Sequence, residues 1–117
     1  MADTSLKLLV LKTHDVESVC RFYQSLGLAF QEERHGSGPV HFSAPLGDAI
    51  MEIYPLPSDQ AVDTSTRLGF AIPDPDAVVS NVDSVGGRII KAGRETPWGY
   101  MAMVGDPDGR TVELYRT

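Results

Sequence analysis

Cysteine is nearly absent: Cys20 is the one thiol among 117 residues. No internal disulfide framework and no cysteine-based zinc finger can form from it. Basic residues are also scarce, with 10 Lys+Arg against 16 Asp+Glu and a net charge of −6. A nucleic-acid backbone demands a basic surface, so no nucleic-acid partner is expected. Long apolar runs are missing too. Leu6 to Leu11 is interrupted by Lys7 and is far shorter than a membrane span, so no membrane partner is expected. Residues 1–5 lack the cationic start and apolar stretch of a signal peptide, and the chain reads as cytoplasmic. Gly36-Ser37-Gly38 is too short for a phosphate loop, and no serine sits in a nucleophile elbow.

What is present suits one folded domain. The apolar fraction is 42% and the charged fraction 22%, which excludes wholesale disorder. Leu6 to Leu11 has strand length. Asp15 then caps a helix whose apolar face carries Val16, Val19, Cys20, Tyr23 and Leu26, and Gly27 stops it. Leu28 to Glu33, Val40 to Ser43 and Ala49 to Tyr54 read as strands, with turns at His35 to Pro39 and at Pro45 to Asp48. Pro55, Pro57 and the polar stretch through Thr66 form a linker.

The order then repeats. Arg67 to Ile72 reads as a strand. Asp74 caps a helix with Pro75 at its first position and Val78, Val82 and Val85 on one face, and Gly86-Gly87 ends it. Arg88 to Lys91 and Tyr100 to Val104 are strands, Asp106-Pro107-Asp108-Gly109 is a tight turn, and Thr111 to Tyr115 closes the half. The chain is therefore expected to be α+β: a first βαβββ module over 6–54, a linker over 55–66, and a second module over 67–115.

Alternation along strands places candidate site residues. Met51 and Ile53, and Val112 and Leu114, face the helices; Glu52 and Glu113 point away. Two carboxylates at matching steps of two modules, facing one cavity, are candidates for catalysis, because proximity raises at least one pKa. Cys20, on an apolar helix face, reads as an inert core thiol.

The module order, Arg21-Phe22-Tyr23 with Leu26-Gly27-Leu28 after the first strand, and the ending Asp106-Pro107-Asp108-Gly109-Arg110-Thr111-Val112-Glu113-Leu114 resemble the vicinal oxygen chelate superfamily. That group includes glyoxalase I, bleomycin-resistance proteins and extradiol dioxygenases. The resemblance implies two incomplete barrels forming a curled, U-shaped mixed sheet with helices on its outer face. It also implies a homodimer with pockets near or across the interface. In metal-binding members each first strand supplies a ligand, usually His, and each late strand a Glu. Here the late-strand positions match Glu52 and Glu113, but the first-strand positions match Leu8 and Leu68, which bind no metal. Neighbouring registers offer Lys7 or Leu9 and Arg67 or Gly69, which do not help. No metal ligand set and no cofactor are expected, although two carboxylates with waters suffice for a weakly held hard cation. His14 reads as part of a local cap and His35 as exposed. His41, alternating with Val40 and Phe42, is the one histidine placed on the cavity side.

The expected ligand-binding surface is then Leu8, His41, Ile50, Tyr54, Leu68, Phe70, Trp98 and Tyr115. Trp98 either stacks on a ligand at the mouth or caps the core. Met101 and Met103 read as core. The function this suggests is metal-independent binding of a small apolar or cationic organic molecule, as in drug sequestration. The alternative is a glyoxalase-like lyase or isomerase using Glu52 or Glu113 as base, with or without a weakly held divalent metal.

Overall fold

A computed structural model describes residues 2–117. It contains two four-stranded mixed sheets. The first holds β1 (Leu8–Thr13), β2 (Gln31–Glu33), β3 (His41–Leu46) and β4 (Ala49–Pro55), in the order β1-β4-β3-β2. The second holds β5 (Leu68–Ile72), β6 (Arg88–Thr96), β7 (Gly99–Gly105) and β8 (Thr111–Arg116), in the order β5-β8-β7-β6. In each, the first and last strands of the module pair in parallel at one edge of the sheet, and the rest pair antiparallel. The parallel pairing requires a crossover, which α1 (Val16–Gln24) and α2 (Pro75–Asn81) provide.

Both helices start as their sequences dictate. Asp15 accepts from Ser18 N–H and Asp74 from Ala77 N–H, each at 3.1 Å. These bonds satisfy amide donors that have no partner within the helix. After α2 a short 3₁₀ turn runs over Val82–Val85, and Gly86 closes it at φ 81°, a left-handed conformation that glycine adopts without a steric cost.

Strand alternation sends Leu11, Met51, Ile53, Phe70, Ile72, Val104, Val112 and Leu114 toward the helices. There they meet Val19, Phe22, Tyr23, Val78 and Val82 in one cluster spanning both modules. Cys20 lies in this cluster, and burial pushes its thiol up to about 11, consistent with an inert core residue. A polar pin crosses the same core. Tyr23 of α1 donates to Asp106 at 2.7 Å, and Asp106 also accepts from the buried Arg110 guanidinium at 3.0 Å. Arg110 donates onward to the Lys12 carbonyl in β1 at 3.0 Å, so the turn of the second module is fastened to two elements of the first.

Several boundaries differ from the sequence expectation. β3 runs through Pro45 to Leu46, leaving a tighter turn at Gly47-Asp48. β2 is shorter, and β6 extends from Lys91 to Thr96 through two register shifts. Pairing with β7 carries β6 past the point where its own apolar pattern ends. His14 does not cap a helix; its ring donates to the Gln60 carbonyl at 2.9 Å, tying the linker to the end of β1. Among the described residues, no helix is long and apolar enough to cross a membrane.

Candidate functional site

The face of each sheet opposite the helices carries the polar chemistry. In the first module, register places Val10 beside Glu52, Ser43 beside Glu52, and Glu33 beside His41. Leu8, Ile50, Tyr54 and His41 lie on this face, as alternation predicts. The His41 ring stacks on Tyr54, with centroids 4.1 Å apart and planes within 8°. Its Nδ1 lies 3.3 Å from the Pro39 carbonyl. A carbonyl only accepts, so Nδ1 carries the proton of that bond, and Nε2 is the ring nitrogen left facing the site. That Nε2 is buried, has no hydrogen-bond partner, and points at Glu33 Oε1 (3.4 Å) and Glu52 Oε2 (3.6 Å). The His35 Nε2 lies 3.6 Å from the same Glu33 oxygen. One donor atom from each of these four side chains lies within 4.8 Å of all the others.

The second module solves the same position differently. Glu113 accepts from Tyr115 Oη and from Arg67 Nε. The Tyr115 hydrogen bond, with the Arg67 guanidinium, holds the Glu113 carboxyl below its usual range against the opposing effect of desolvation. A groove of about 380 Å³ lies on this face, lined by Arg67, Lys91, Arg94, Thr96, Trp98, Met101, Met103, Glu113 and Tyr115.

Two sequence assignments are corrected here, and one open alternative is decided. Leu68 and Phe70 pair with Val112 and Leu114 and so share the core face; Phe70 is buried near the Tyr23 ring. Met103, expected in the core, is only half-buried and lines the groove beside Glu113, whereas Met101 is buried as expected and forms the groove floor. Trp98 does not cap the core: it is 77% exposed at the groove edge. The Leu68 error has a local cause. An apolar strand of two buried faces and one of alternating faces look alike when the intervening residues are Gly69 and Ala71. Glu52 and Glu113 occupy separate sheets and contact different partners. Glu33 escaped the sequence reading, and His35, exposed as expected, was not placed beside it. Their signal was an acidic residue two steps before a histidine at the end of a strand, meaningful only once the β2–β3 register is known.

These modules identify the family. Residues 5–114 match the Glyoxalase/Bleomycin resistance protein/Dioxygenase superfamily. The chain belongs to that superfamily. It is 29% identical over 115 residues to an uncharacterized protein of Mycolicibacterium smegmatis, covering 98% of this chain and 96% of that protein. Its fold is shared with a glyoxalase-related enzyme from Fulvimarina pelagi, at 17% identity and TM-score 0.74 over 97% of this chain and 88% of the other. It is shared equally with a glyoxalase/bleomycin resistance protein/dioxygenase family enzyme from Burkholderia phytofirmans, at 21% identity and TM-score 0.72 over 95% and 97% of the two chains.

The ligand positions associated with metal-binding members do not fit a metal in this superfamily member. The site-face residues beside Glu52 and Glu113 on the first strands are Val10 and Gly69, and neither has a donor side chain. Arg67 already supplies the positive charge at Glu113.

Proposed function

We propose that this superfamily member binds a small planar organic anion in the groove of its second sheet, without a metal in that site. The observation that carries the reading is the groove lining itself. Three basic side chains, Arg67, Lys91 and Arg94, stand against one carboxylate, Glu113, in a chain whose net charge is −6. Arg67 engages Glu113, which leaves Lys91 and Arg94 to attract an anion. Met101 and Met103 offer a polarizable floor, and Trp98 an indole face at the rim. The cationic ligand suggested by two free carboxylates is thus replaced by one of opposite sign. A glyoxalase-like role for Glu113 as base is disfavoured, because a carboxylate with lowered proton affinity is a weak proton acceptor.

Trp98 is the only tryptophan of the chain, so its fluorescence reports on this groove directly. Titration with aromatic carboxylates is expected to quench or shift its emission and to raise the melting temperature, while aromatic amines of equal size do neither. Lys91→Ala and Arg94→Ala each weaken binding about 5- to 10-fold, as loss of a charge-assisted hydrogen bond predicts. Equal binding of amines and carboxylates, or no response to any planar anion, would defeat the proposal.

We further propose a homodimer. Leu8 (52% exposed), Val10 (37%) and Ile50 (46%) lie together on the site face of the first sheet, an apolar surface suited to cover by a second copy. Light scattering on the purified protein tests this; a monomer at high micromolar concentration would count against it.

A further inference from the structure

We infer that Glu33, His35, His41 and Glu52 form a binding site for a divalent transition-metal ion of the zinc class, built wholly within the first module. The inference is independent of the groove proposed above, which lies on the other sheet. Glu52 is the only one of these four that the family resemblance points to; the other three come from β2, β3 and the turn between them.

The decisive feature is His41. Its side chain is 1% exposed, and its Nε2 is buried with no hydrogen-bond partner. A buried imidazole nitrogen without a partner loses its hydration and gains nothing in return. Here the nitrogen faces two carboxylate oxygens, so a bare lone pair meets negative charge. Only a cation between them resolves this arrangement. A proton on Nε2 does so poorly, since contacts of 3.4 and 3.6 Å exceed good hydrogen-bond length. A metal ion does so well. Ligand bonds of about 2.0–2.1 Å at tetrahedral angles place neighbouring donor atoms about 3.3–3.4 Å apart. Three of the six donor–donor separations, His41–Glu33 at 3.4 Å, His41–Glu52 at 3.6 Å and His35–Glu33 at 3.6 Å, are close to that edge length, and the other three stay within 4.8 Å, a gap that small side-chain rotations close on binding.

The surroundings match a ligand rather than a stray core histidine. Nδ1–H of His41 is held by the Pro39 carbonyl, which fixes the tautomer that aims a lone pair at the ion. Tyr54 stacked on the ring fixes its plane. Two imidazoles and two carboxylates form a donor set suited to zinc and its first-row neighbours rather than to calcium or magnesium, which prefer oxygen alone. An ion there would neutralise two adjacent carboxylates and fasten His35, at the start of the β2–β3 turn, onto the sheet.

The test uses the untagged full chain, stripped with a chelator and titrated with Zn²⁺ alone, bound metal being measured by elemental analysis after dialysis. One zinc per chain is expected, with a rise in melting temperature. Co²⁺ should give the intense visible absorption of a four-coordinate site. His41→Gln and Glu52→Gln are each expected to weaken zinc binding at least about 100-fold, because even residues that only hydrogen-bond to a metal's ligands are worth about 10- to 100-fold. His35→Gln alters an exposed residue and leaves folding intact, so it covers the case in which the buried variants fail to fold. It should weaken binding about 10-fold and change the cobalt spectrum. Glu113→Gln should leave zinc binding unchanged. Substoichiometric zinc, binding indifferent to His35→Gln and His41→Gln, or loss of binding in Glu113→Gln would overturn the inference.

Discussion

The two modules repeat one topology and place a glutamate at the same step of the last strand, yet they satisfy it by opposite means. Glu113 is neutralised within its own module by Arg67 and Tyr115. Glu52 faces a buried imidazole that has no partner, and a second carboxylate besides. The pairing of β1 with β4 puts Val10 beside Glu52; the pairing of β5 with β8 puts Gly69 beside Glu113, and Arg67, two residues before Gly69, reaches the carboxylate. A repeat that keeps its backbone can therefore hold two chemistries, because the backbone fixes where side chains emerge and nothing about which side chains they are.

The turns before the last strands differ as sharply, and here the largest effect is expected. Asp106 accepts bonds from Tyr23, Arg110 and the Asp108 and Arg110 amides inside the core, whereas Asp48 at the matching turn of the first module is exposed. Asp106→Ala removes the fully buried carboxylate of the pair, leaves Arg110 with only the partly buried Asp108 as ionic partner, and should cost about 3 kcal/mol. Asp48→Ala should change stability by less than about 0.5 kcal/mol. Urea unfolding of the two variants measures the contrast, and comparable losses would erase the distinction between the turns.

The helix caps are where the modules should behave alike. Asp15→Ala and Asp74→Ala each remove one bond of 3.1 Å to a first-turn amide. Each should cost about 1 kcal/mol, and a difference larger than that between them would show that the modules do not weight their helices equally.

At Glu113 the expected effect is no larger than at the helix caps, and it carries a pH signature. Its folded-state pKa is lowered by the Tyr115 hydrogen bond and then by Arg67. Its contribution is therefore present above the unfolded-state value, about 4.3, and is lost as pH falls through the folded-state value. Arg67 is exposed, so the stability gap between the native chain and Glu113→Gln should be no more than about 1 kcal/mol at pH 7. That gap should close on acidification, and chemical denaturation at stepped pH follows it. A gap that widens toward acid would contradict the lowered pKa.

Much of the fold was written locally. Asp15 and Asp74 mark their helices by side-chain chemistry alone, and the faces of Met51, Ile53, Val112 and Leu114 follow from the two-residue period of a strand. The same period put His41, Tyr54 and Tyr115 on the site face correctly. It misplaced Leu68 and Phe70 because Gly69 and Ala71 gave no polar contrast to set the phase. It likewise sent Met103 inward, since a strand of methionine, alanine and valine carries no polar mark for either face.

From residue order alone came the two βαβββ modules, their caps and their turns, all consequences of short-range geometry. Tertiary structure decided which strand lies beside which and in what register, and so whether Glu33 meets His41 and whether Arg67 reaches Glu113. Those encounters join residues far apart in the chain, where the pairing of whole strands governs proximity and the local pattern is silent.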